Sequence, residues 1–454
     1  MKFVSTLQLQ SNRLVLVLTI FCSIIMILDS ILVLLITLPL EEPLPSQNLA
    51  LFLTFLTFFF FCNCVFLMFA RQAYLIPHIE PKRSLGLIYK QAIINQLILS
   101  LLLAFTAVQL TVVGNYDIVV RNLAIYISHI SAIGYLLMLV YQFVRWFATN
   151  RSLVFLAYAV GFGTIAVNIA ISVVYLIDDS YHHDPAPRLR SIMNQIGDYS
   201  NYESDFLTAL ITSYTFLSFV SFVCIWIPSV VLLKTYSQRI GKIKYWILVA
   251  IPLAYFFFPV VLQQTGLYYK LLLEYGMQFS LVFYVTFSPY KQIGGLLFGI
   301  VFWLTASRIR RPNLKALLQI AGIGMILLFG STVLHGLSFI VAPPFGLITV
   351  SFVGLASFLL LSGIYLSAMQ LSRDTTVRKE VYKITEEQVG LLGRISIAEV
   401  NKNLEERVKK IIQKSQAMEK EEGPLLETEM DESDYKRFIE DAMEEVRAVT
   451  EKRK

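Results

Sequence analysis

Side chains able to do chemistry are few in this chain, so their positions carry weight. The stretch DDSYHHDPAPRLR (178–190) gathers Asp178, Asp179, His182, His183 and Asp184, imidazole and carboxylate donors of the kind that hold a divalent ion. Adjacent histidines point apart unless the backbone folds back on itself. A solvated polar loop explains the cluster equally well. Cys62 and Cys64 in FFFFCNCVF (58–66) are two residues apart, which on a helix puts them on different faces, so a shared thiolate site is not expected. Asp29 interrupts an otherwise apolar run of about 25 residues, too long for a signal-peptide core. An ionisable group at that depth is costly if unpaired and reads as a ligand or proton site, with His129 and His335 as candidate partners. It reads equally as a snorkelling acid or as a hydrogen bond between helices. Asn95, Gln96, Gln109, Asn168, Gln263 and Gln264 read as polar ties between helices.

The elements that must position these groups follow from composition. Of 454 residues, 56% are hydrophobic and 15% charged, and the mean hydropathy is +0.63. Soluble domains carry nearer a quarter charged residues, so the chain is expected to be an all-α, polytopic transmembrane bundle. A helix needs about 20 apolar residues to cross the hydrocarbon. Ten segments meet that requirement, near 14–39, 49–70, 88–113, 119–147, 153–177, 207–233, 245–266, 289–307, 314–341 and 345–371. The eighth carries Pro289, Lys291 and Gln292, and 276–288 ahead of it reads as a bent or re-entrant lead-in.

Loop charges orient the spans. With both termini on one side, alternate loops hold 17 basic residues and one acid, Glu80, while the opposite loops hold five basic residues and ten acids. Basic loops face the cytoplasm, which predicts a multi-pass cell-membrane protein with both termini inside. The basic excess orients loops and does not suggest nucleic-acid binding. The long outer loop (178–206) divides the spans five and five, a count that permits inverted halves. The glycines of GFGT (161–164) and GGLLFG (294–299) lie in apolar runs and predict close helix packing.

Residues 374–454 change character, with 16 basic and 20 acidic side chains. Val377, Val381 and Ile384 continue an apolar stripe past the last span, while Asp374 could cap a new helix. This junction could pass a signal to a cytoplasmic tail. Amphipathic helices are expected over 397–420 and 433–450, suited to a protein partner or to self-association. The segments LSAMQLSRDTTVRKEVYK and LLGRISIAEVNKNLEERVKK, with the acidic helix that follows, resemble a group of uncharacterised archaeal (thaumarchaeal-type) multi-pass membrane proteins with a helical tail. The resemblance covers about the last 90 residues and implies no activity. Phosphate-binding, zinc-protease and nucleophile-elbow motifs are absent, so neither catalysis nor a cofactor is expected. Three functions remain open: a receptor or adaptor, a secondary transporter, and a structural or assembly protein.

Overall fold

The computed structural model describes residues 2–37, 45–74, 83–182, 205–234, 241–287, 289–307, 309, 312–332 and 343–373. Among these the chain is all-α, in eleven helices: α1 (Lys2–Thr37), α2 (Pro45–Tyr74), α3 (Arg83–Val113), α4 (Ile118–Asn150), α5 (Leu153–His182), α6 (Asp205–Lys234), α7 (Lys242–Gln264), α8 (Leu267–Phe287), α9 (Tyr290–Ser307), α10 (Pro312–Ser331) and α11 (Leu347–Arg373). Nine of them, all but α8 and α9, are long and apolar enough to cross a membrane. The chain is therefore a multi-pass membrane protein with a polytopic helical bundle.

Two helices form the centre. The apolar windows of α10 and α11 are 89% and 100% buried, whereas every other candidate span lies between 28% and 44%. A helix that is apolar all round belongs inside a protein or a bilayer, and these two are inside the protein. Lipid chains are as apolar as leucine, so close contact between helices must do what hydrophobic burial does in water. Small residues make that contact possible. A Cβ on Gly324 would lie 2.5 Å from the Leu360 nitrogen, and one on Gly363 would lie 2.5 Å from the Ala321 nitrogen, so α10 and α11 touch backbone to backbone. Gly299 of GGLLFG meets the Gly322 carbonyl in the same way, joining α9 to α10, and Gly161 of GFGT receives Ile225 of α6. Both glycine runs thus serve close packing. On the opposite flank Ser128 of α4 donates to the Val350 carbonyl (2.9 Å) and accepts from the Gly354 amide (3.3 Å), inserting a hydroxyl into the ladder of α11.

The α4–α5 hairpin turns on two residues. Arg151 takes a left-handed conformation (φ 32°) and its amide closes on the Phe147 carbonyl at 2.7 Å. Phe143, Tyr158 and Phe162 stack across the hairpin, with Tyr158 and Phe162 nearly parallel at 5.7 Å.

The structure redraws the eighth crossing. Gly276 (φ 59°, ψ −144°) breaks α8 into two halves that fold on each other, with Tyr268 against Phe279 and Phe283. The second half ends against the middle of α7, where Tyr255 donates to the Thr286 carbonyl and Phe287 packs on Phe258. Helix α9 starts beside it, Tyr290 against Phe256. It is only 18 residues long and carries Lys291 and Gln292 in its first turn, too polar a start for a span by composition. The expected eighth span, 289–307, is thus α9, preceded by the kinked α8, and neither helix is long and apolar enough to cross by length and composition. Two other boundaries also move. Helix α5 continues to His182, so 178–182 is helix rather than loop, and α10 ends at Ser331, the rest of the expected 314–341 span from 333 on lying outside the described residues.

Candidate functional site

Two buried ionisable side chains lie at the ends of the two central helices. A helix leaves its last four carbonyls and first four amides without internal partners, and each needs one inside a membrane. At the C-terminal end of α10, Lys291 Nζ donates to the Thr332 carbonyl (3.1 Å), the Tyr214 hydroxyl (2.7 Å) and the Ser218 hydroxyl (3.3 Å). It also sits 4.4 Å from the centre of the Tyr214 ring. The Tyr214 hydroxyl donates to the same Thr332 carbonyl at 3.2 Å, and Gln292 donates to the Gly330 carbonyl at 3.4 Å. A cation here matches the negative end of the helix dipole.

Asp29 does the converse at α11. Gly346 is the capping residue, with its carbonyl taking the first helical hydrogen bond from Val350. Glycine has no side chain to accept the amides that Ser, Thr or Asp would normally cap. Asp29, reaching across from α1, supplies that acceptor. Oδ1 takes the Gly346 amide at 3.0 Å, and Oδ2 takes both the Thr349 amide (3.0 Å) and hydroxyl (2.7 Å). Asp29 is wholly buried, and no described cavity contains it.

Around Lys291 is a small polar cavity of about 20 Å³, room for a single water. His129 of α4 lines it, and its Nδ1 lies 2.9 Å from the Ile125 carbonyl, which leaves Nε2 for the cavity side. Asn168 and Ser218 meet at 3.0 Å, and the amide orientation that satisfies both also lets Asn168 donate to the Tyr214 carbonyl. Asn168 is thus the tie between helices expected of it. Gln109 instead accepts the Asp117 amide in the short α3–α4 loop.

A second, larger cavity of about 370 Å³ lies at the other end of the bundle. Its walls come from the last turns of α2 (Ala70), the first turns of α3 (Ile88, Tyr89), α4 (Leu137, Met138, Tyr141, Gln142) and α11 (Phe358 to Leu366).

The expected site residues are thus separated. Asp29 and His129 belong to different hydrogen-bond sets, and Asp29 pairs with the start of α11. His182 ends α5. His335, His183, Asp184, Asp374, Val377 and Val381 lie outside the described residues. No group of three or more metal-capable side chains occurs among the described residues. Cys62 is buried and Cys64 exposed, as their spacing on a helix requires. Sequence reasoning passed over Lys291, counting it against a span when an ionisable residue at membrane depth was itself the signal. Comparison with family models, with curated proteins and with solved structures gives no match in any of the three.

Proposed function

We propose that this membrane protein is a non-catalytic receptor or adaptor in which α11 carries the state of the bundle to residues 374–454, with both termini in the cytoplasm. One observation supports this above others. The apolar window of helix α11 is wholly buried, the helix touches its neighbours backbone to backbone, and its C-terminal half forms one wall of the larger cavity. A change in how that cavity is filled therefore bears directly on the helix leading to the tail. The test is amide hydrogen exchange through 374–420 in the full chain, before and after Gly363→Ala forces α10 and α11 apart. Receptor coupling requires exchange in the tail to change with exchange in the bundle. A tail indifferent to that change ends the reading. Orientation is checked separately: reporter fusions at residues 45 and 240 should face opposite sides, and finding them on one side refutes the loop-charge argument.

The break ahead of α9 supports a second reading, a secondary transporter. Transporters place substrate sites where discontinuous helices meet, and Lys291 sits just past the break between α8 and α9. The cavity there has room for one water, so transport requires it to open to each side in turn. A cysteine at Ser218 labelled by a water-borne maleimide from both sides would favour transport; protection from both favours the receptor.

A further inference from the structure

We propose that the cavity of about 370 Å³ binds one hydrocarbon chain of an anionic bilayer lipid, with the headgroup held at Arg71 and Arg145. Its size falls within the range of ligand pockets, and its walls follow the usual pattern of an apolar lining with a few polar groups. The mouth faces the bilayer. Leu137, Met138 and Tyr141, which form part of the wall, are 53%, 44% and 58% exposed on a helix that spans the membrane, so the surface beside the opening contacts lipid. Fully apolar molecules would find no use for the polar groups present. The side-chain oxygen of Gln142 is buried without a hydrogen-bond partner among the described residues, an acceptor for a glycerol hydroxyl.

The charge at the rim selects the headgroup. Arg71 follows Ala70 of the wall and lies close enough to Tyr89 for its charge to act on that phenol. The Arg145 guanidinium sits 5.6 Å from the centre of the Tyr141 ring. Both belong to the end of the bundle whose loops hold 17 basic residues against one acid. Basic pockets between membrane helices on the cytoplasmic side suit acidic headgroups, and an apolar slot beneath them suits the attached chain. The proposal deepens the receptor reading by giving it a ligand class, but the cavity's occupancy stands or falls by itself.

The full chain is reconstituted in phosphatidylcholine vesicles doped with a diazirine-tailed lipid, either phosphatidylglycerol or phosphatidylcholine. With the anionic probe, adducts should concentrate on 137–142 and 358–366, roughly tenfold over the zwitterionic probe. Arg71→Gln with Arg145→Gln should reduce the preference to parity. Ser362→Trp, which fills the slot, should remove those adducts while leaving those on the outward face of α3 at Leu97 and Leu101. If Ser362→Trp does not fold, Leu137→Trp on the half-exposed wall makes the same test without crowding the core. The proposal is overturned if the cavity peptides label no more than the α3 face, if both headgroups label equally, or if filling the slot changes nothing. Labelling does not report signalling, so a bound lipid with an indifferent tail would sink the receptor reading alone.

Discussion

Replacing Asp29 tests whether the start of α11 is capped from another helix. In the parent, the carboxylate takes two backbone amides and one hydroxyl. Asp29→Leu leaves the Gly346 and Thr349 amides without that acceptor in a site that no solvent reaches. An orphaned buried donor costs about 1–3 kcal/mol, and hydrogen bonds within membranes fall toward the lower end of such ranges. The Thr349 hydroxyl has an alternative, the Met26 carbonyl at 3.3 Å, so it adds little. Two orphaned amides at about 1–1.5 kcal/mol each give a loss of about 2–3 kcal/mol. Asp29→Asn keeps one carbonyl oxygen and can still accept one amide, so about half the loss is expected, together with a reduced attraction to the helix dipole. The assay is thermal unfolding in detergent, where the leucine variant should melt on the order of 5 °C lower. Hydrogen exchange should show the first turn of α11 opening before the rest. The reasoning fails if leucine and parent melt within a degree, or if asparagine is as harmful as leucine.

Lys291→Met should behave differently. Its acceptors are neutral and keep other partners, with Tyr214 still donating to the Thr332 carbonyl and Asn168 still bonded to Ser218. Removing a buried ammonium relieves its desolvation, so stability should hold or rise, and a melting loss equivalent to more than about 2 kcal/mol would show that α10 needs the cation. Gly363→Ala should cost about 1–3 kcal/mol, because its Cβ meets backbone atoms that cannot yield. Gly134→Ala, with nothing within 4 Å of the new Cβ, should gain up to about 1 kcal/mol by helix propensity, and similar effects at both sites would refute the packing account.

Spans were legible where apolar runs are unbroken, since length and hydropathy alone decide them. The eighth was not: α9 starts with polar residues, and Gly276 and Pro289 mark bends ahead of it, but nothing local says where the pieces pack. The glycines of GGLLFG announced close contact but not the partners, Phe222 of α6 for Gly294 and Phe329, Ile326 and Gly322 of α10 for the other two. Asp29 was legible as a residue needing a partner. Its partners are backbone amides, which every residue but proline has, so no side-chain pattern could name them. The larger cavity was invisible for another reason. It is a gap between three consecutive helices and a fourth far along the chain, and no residue type marks it.

Buried acids and bases in membrane helices are by default taken as machinery, yet Asp29 and Lys291 have a structural task first. The connection from α10 to α11 leaves one helix at its negative end and begins the next at its positive end. Gly346 and its neighbours are buried in protein, where water cannot serve those groups. An aspartate at the start of α11 and a lysine at the end of α10 are the charges those dipoles favour. Gly330 of α10 packs against both Met26, one turn before Asp29, and Gln292, beside Lys291. Two helix ends capped this way hold the central pair at one end, while close backbone contact at Gly363 holds it toward the other, beside the wall that α11 gives to the larger cavity.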